Sequence, residues 1–118
     1  MQLFRKSALR EPSEQAVSIA RYILRKSIEL KATGITIEGE PSRYLVSYKI
    51  EDKWHECGWL NSTGHEVILH LKSLLQPFTD HTETIDFLYK EQPYRFTAEF
   101  KKTEQGTSVE LTRLGNEA

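Results

Sequence analysis

The sequence predicts an α+β domain: two amphipathic helices packed on a mainly antiparallel sheet, in the order α-β-β-β-α-β-β-β. Three observations carry that expectation. Apolar residues recur at helical spacing in two separate stretches. After each of them the apolar period falls to two, the signature of strands with one buried face. The strand-like runs are joined mostly by short polar turns, which suit hairpins rather than parallel crossovers.

The first helix, a long one, opens at Pro12-Ser13-Glu14, a capping hydroxyl followed by an acid in the first turn. Ala16, Val17, Ala20, Ile23, Leu24 and Ile28 form its apolar stripe, opposite Ser18, Arg21, Arg25, Lys26 and Glu29. It is expected to run roughly five turns and to end near Thr33-Gly34. Ile35 and Ile37 then alternate with Thr36 and Glu38, and Gly39-Glu40-Pro41-Ser42 makes a turn. Tyr44, Val46, Tyr48 and Ile50 share one face of the next strand, which Glu51-Asp52-Lys53 connects to a strand from Trp54 to about Leu60.

Thr63, with Glu66 three residues on, fits a capping box at the start of the second helix. Val67, Ile68, Leu71, Leu74 and Leu75 supply its stripe, and Pro77 its stop. In the last third, Ile85, Phe87 and Tyr89 share one strand face, and Tyr94, Phe96, Ala98 and Phe100 the next. A turn at Glu104-Gln105-Gly106 leads to a final strand with Val109 and Leu111.

The chain has 118 residues, 38% hydrophobic and 28% charged, a globular balance with room for one core. Residues 1–12 read as a flexible N-terminus, 13–114 as one domain and 115–118 as a tail. Sixteen basic against seventeen acidic side chains leave a net charge of −1, so no global field favours nucleic acid or membranes as partners. The single cysteine, Cys57, cannot form an internal disulfide, which points to a reducing, cytoplasmic setting. No apolar run approaches the ~18 residues of a membrane span, and the first ten residues hold no apolar stretch of signal-peptide length.

Constellations that could carry chemistry fail on spacing. His65 and His70 are five residues apart, rotated by roughly 140° on a helix, whereas a zinc-binding pair needs a separation of four. His55 and Cys57 share a strand face, but nothing beside them would lower the thiol pKa, so Cys57 is expected to pack near Trp59 as a small hydrophobe. The six glycines form no phosphate-binding loop. Tyr94, Phe96 and Phe100 sit among acids as well as bases, so they read as core rather than as a base-stacking surface. The residues thus imply no metal, no cofactor and no catalytic site.

Four collinear segments resemble the N-terminal domain of the secretion and pilus ATPases, the motors of type II secretion and of type IV pilus assembly and retraction. Leu30-Lys31-Ala32-Thr33-Gly34-Ile35-Thr36-Ile37-Glu38 is similar to the family's "G-A-S-D-I-H-I-E" segment, and like it follows a long helix. Val46-Ser47-Tyr48-Lys49-Ile50-Glu51-Asp52 resembles "V-R-Y-R-I-D-G", and Leu69-His70-Leu71-Lys72-Ser73-Leu74-Leu75 resembles the helix ending "R-I-K-x-L-A". The last is Ile85 to Tyr89 followed by Tyr94-Arg95-Phe96-Thr97-Ala98-Glu99, set beside an aspartate-containing strand and "G-R-F-R-V-N".

The resemblance implies a PAS-like fold over residues 13–114, without the ATPase half that carries the Walker motifs. In the family, arginines of this domain reach the nucleotide bound to the ATPase half. Here those positions are Ser47, Lys49 and Thr97, while Arg95 is retained, so Arg95 and Lys49 are the candidate remnant contacts to nucleotide or partner. The expectation is a non-enzymatic interaction or regulatory module of a type IV pilus, type II or type IV secretion machine, with conjugation machines among them. Its partner would be the motor ATPase or a neighbouring component, at the inner face of the membrane through that complex, with homo-oligomerisation left open. The alternatives are an N-terminal piece of a complete ATPase, or a small nucleotide- or nucleic-acid-binding module.

Overall fold

The computed structural model describes residues 13–40, 42–104 and 106–115. Helix α1 (Glu14–Glu29) leads into β1 (Gly34–Glu40), β2 (Arg43–Ile50) and β3 (Lys53–Leu60). Helix α2 (Thr63–Ser73) follows, and β4 (Gln76–Thr79), β5 (Thr82–Tyr89), β6 (Gln92–Thr103) and β7 (Gly106–Arg113) complete the order. The fold is α+β with the order read from the sequence, plus the short strand β4 ahead of the last three. All seven strands join one antiparallel sheet, ordered β3-β2-β1-β7-β6-β5-β4.

The first and last strands therefore meet at the middle of the sheet. Ile35 lies opposite Leu111 and Ile37 opposite Val109, so one face of β1 and β7 is an apolar block. Tyr48 and Val46 extend it onto β2, and Phe96 and Ile85 extend it towards the other edge. Both helices bury their stripes on this face: Ala16, Ala20, Ile23 and Leu24 from α1, and Val67, Ile68 and Leu71 from α2. Phe96 is 1% exposed, and Tyr94 and Phe100 pack around the core, as the sequence suggested.

Several boundaries differ from the sequence reading, each for a local reason. Ser13 caps α1 as expected, its Oγ accepting the Ala16 N–H at 3.1 Å; Pro12 lies outside the described residues. The helix, however, stops at Glu29, because Lys31 takes a left-handed φ of 61° and the Ala32 N–H turns back to the Ser27 carbonyl. Gly34 starts β1 instead, where a side chain would press on Trp54: a Cβ there would lie 3.1 Å from the indole ring.

The capping box at Thr63 does not form. Thr63 is already helical, its N–H donates to Asn61 Oδ1 at 2.9 Å, and Glu66 instead accepts the Ser13 N–H at 3.1 Å, clasping α2 to the start of α1. Nor does Pro77 stop α2, which has ended at Ser73; Pro77 lies in β4, a strand too short to show a period. Glu51-Asp52 and Lys90-Glu91 make two-residue hairpins with φ between 52° and 68°, the backbone that matches strand twist. Gly39 and Glu40, read as part of a turn, continue β1. No helix among the described residues is long and apolar enough to cross a membrane.

Candidate functional site

α1 carries two apolar stripes. The core stripe centres on Ala16, Ala20, Ile23 and Ser27, while Ile19, Tyr22 and Leu30, with Gln15 and Lys26, form a second about a quarter turn away. Ile19 and Leu30 of this second stripe are partly buried against the edge of the core, and Tyr22 stands exposed over the outer end of the sheet. Beneath it lies an open apolar groove of about 450 Å³ between α1 and the β2–β3 edge. Val46 and Tyr48 form its floor, and Cys57, Gly58, Trp59 and Leu60 its strand wall.

Tyr48 anchors the floor. Its hydroxyl donates to the Ile23 carbonyl at 3.3 Å, tying β2 to α1, and burial raises its pKa well above the ordinary phenol value, with smaller contributions from Cys57 and Tyr22. The strand wall is bent by a β-bulge. Ser47 pairs with Glu56 and Val46 with Gly58, leaving Cys57 as the extra residue. The expectation that Cys57 packs as a small hydrophobe is therefore wrong: the bulge leaves it exposed at the groove wall, its Sγ 3.4 Å from the His55 carbonyl. The strand alternation that was to put Cys57 on one face with His55 is broken at this point. Gly58 keeps the wall low, with nothing within 4 Å of where a Cβ would stand.

Aromatic rings gather around this end of the molecule. Tyr22 is 49%, Trp54 43% and Trp59 44% exposed. The Arg43 guanidinium stacks 3.6 Å from the Trp59 ring centroid, and the Lys49 ammonium stands 5.9 Å from that of Trp54. Among the described residues Lys26 is the one charged residue lining the groove, and no carboxylate lines it.

Compared with known proteins, the chain matches no family model and no curated sequence.

The two remnant-contact residues named from the sequence lie elsewhere and apart. Lys49 is on β2 and Arg95 on β6, both on the face away from the helices, separated by three strand spacings of roughly 4.8 Å each. Arg95 is engaged within the sheet. Its Nε and Nη2 donate to the two Asp86 oxygens at 2.8 and 3.3 Å, its guanidinium covers the Phe78 ring at 4.8 Å, and Gln76 Nε2 donates to the same carboxylate at 3.2 Å. Asp86 raises the Arg95 pKa further above its ordinary value.

On α2, His65 is exposed and His70 half-buried; burial, then the nearby Arg21, lowers the His70 pKa. Among the described residues no three His, Cys, Asp or Glu side chains are grouped to hold a metal. The groove is hard to see in the sequence because Tyr22 and Ile19 fall outside the core stripe. Their spacing to Leu30, three and eleven residues from Ile19, was the signal of a second face.

Proposed function

We propose that the chain is a non-catalytic protein-interaction module whose partner is held in the groove between α1 and β3. One observation carries this reading: an apolar groove is left open beside an edge strand, with Tyr22 and Trp59 exposed at its rim. Aromatic residues in such positions supply contact area at low entropic cost. The resemblance to the N-terminal domain of secretion and pilus ATPases suggests where to look for the partner. It would be the motor ATPase or a neighbouring component of a type IV pilus or of a type II or type IV secretion machine, in the cytoplasm.

The test is affinity capture from host lysate with the full chain, alongside a Tyr22→Ala/Trp59→Ala variant that has first been shown to fold. The reading expects a motor or machine component to be retained by the parent and lost by the variant. Retention of such a component by both proteins places its contact elsewhere, and retention by neither removes the pilus and secretion assignment. A nucleotide-binding role gains no support from Arg95, whose guanidinium already holds Asp86 with two nitrogens.

A further inference from the structure

We infer that the groove takes an extended segment of a partner protein, which adds a strand along β3, sets alternate apolar side chains under α1 and places a carboxylate against Lys26. This rests on the interaction-module reading and gives it a binding mode. The first support is the contrast between the two sheet edges. β4 is four residues long and contains Pro77, features that close an edge to further pairing. β3 is eight residues long, has no proline and, among the described residues, pairs only with β2, so no described strand faces its outer main-chain row.

The second support is adjacency. A strand added beyond β3 would lie about 4.8 Å further out, and every second side chain would point to the helix side of the sheet. That side is where Tyr22 and Ile19 overhang and where Leu60 and Val46 line the groove. One occupant thus satisfies both the free edge and the open apolar surface, whereas a small apolar molecule would leave the edge unpaired.

The third is charge. Among the described residues Lys26 lines the groove without an ion pair, and no carboxylate is in the lining. Lys53 and His55 stand on the same face of β3, because they pair with Ile50 and Tyr48. The groove side is basic as well as apolar, so the segment it suits carries an Asp or Glu among its apolar residues. A second copy of the chain suits it less. Pairing two β3 strands would oppose two edges each interrupted by the bulge at Cys57.

The test selects a random dodecapeptide display library on the full-length chain, then measures synthetic versions of the binders by calorimetry and by amide exchange. Expected are binders with apolar residues at i, i+2 and i+4 and one acid, which slow exchange along β3. Lys26→Glu should weaken them roughly tenfold, and exchanging the peptide's acid for Lys should restore binding to that variant. Restored binding also demonstrates that the variant is folded. Selected peptides with apolar residues at i, i+3 and i+4 that still require Trp59 would overturn the strand mode and leave the module standing. Binders indifferent to Lys26→Glu, or a β3-dependent dimer seen by light scattering, overturn the proposal in favour of another occupant. If no peptide is selected, the proposal falls, and if the lysate capture also returns nothing the module reading falls with it.

Discussion

Over β1 and β7 the helices seal the sheet, and over β3 they do not. Ile35, Ile37 and Leu111 are 0% exposed, while at the outer edge Trp59, which pairs with Leu45 on the other face of the sheet, is 44% exposed. The same helix produces both results. The core stripe of α1 is buried, and the stripe a quarter turn away is only partly covered and lines the groove. Stability is therefore concentrated at the sheet centre, and the outer end is free to be shaped by something other than folding.

That contrast fails or holds first on the cost of truncating a large side chain in each region. Phe96→Ala should destabilise by about 3–5 kcal/mol, since its ring is buried among residues from both halves of the chain. Trp59→Ala removes a larger ring but should cost no more than about 1 kcal/mol, mostly the stacking of Arg43. Denaturant unfolding of both variants reads the difference. Equal losses would mean that the groove end is part of the core.

Two glycines sharpen the comparison at smaller magnitude. Gly64 is buried in the first turn of α2, and a Cβ there would lie 2.5 Å from Tyr44 Cδ1. Gly64→Ala should cost about 1–3 kcal/mol, even though alanine is the better helix former by roughly 1 kcal/mol. Gly58, on the groove wall, has open space where its Cβ would be, so Gly58→Ala should be neutral or stabilise by up to about 1 kcal/mol. The same pair should separate in function. Gly58→Ala narrows the groove without harming the fold, so partner capture should weaken while the melting temperature holds.

The sequence allowed the sealed region to be read far better than the open one. Ile35, Ile37, Val109 and Leu111 alternate because one strand face is buried, and Ala16, Ala20, Ile23 and Leu24 repeat at helical spacing for the same reason. Burial writes a period into the sequence. The groove writes little, because Ile19 is only partly buried and Tyr22 is exposed, and the β3 bulge is a single-residue insertion that only the pairing with Val46 reveals. Glu66 misled for a related reason: a Glu three residues after a Thr reads as a local cap, yet its actual partner, Ser13, is 53 residues away. Arg95 was assigned by its setting in a motif, and the Asp86 carboxylate that holds it lies across a strand pairing no motif encodes.

The smallest expected effect concerns the clasp that sets one wall of the groove. Glu66 Oε1 accepts the Ser13 N–H at 3.1 Å, and this bond, helped by the charge of His65, holds the carboxyl below its ordinary value of 4.5. A carboxyl depressed by folding adds stability that is complete above its unfolded value and disappears as pH falls through the folded one. Glu66→Gln keeps an acceptor oxygen without the charge, so at pH 7 it should melt slightly below the parent, and the two curves should converge as pH falls below the ordinary 4.5 and through the lowered folded value. The bond is exposed, so high salt should shrink the gap as well. A gap that survives both acid and salt would assign Glu66 a packing role instead. Because Ser13 caps α1, release of the clasp loosens the N-terminal end of the overhanging wall near Gln15. Partner binding should therefore weaken across the same acid window before the sheet centre unfolds, and in Glu66→Gln it should already be weaker at neutral pH.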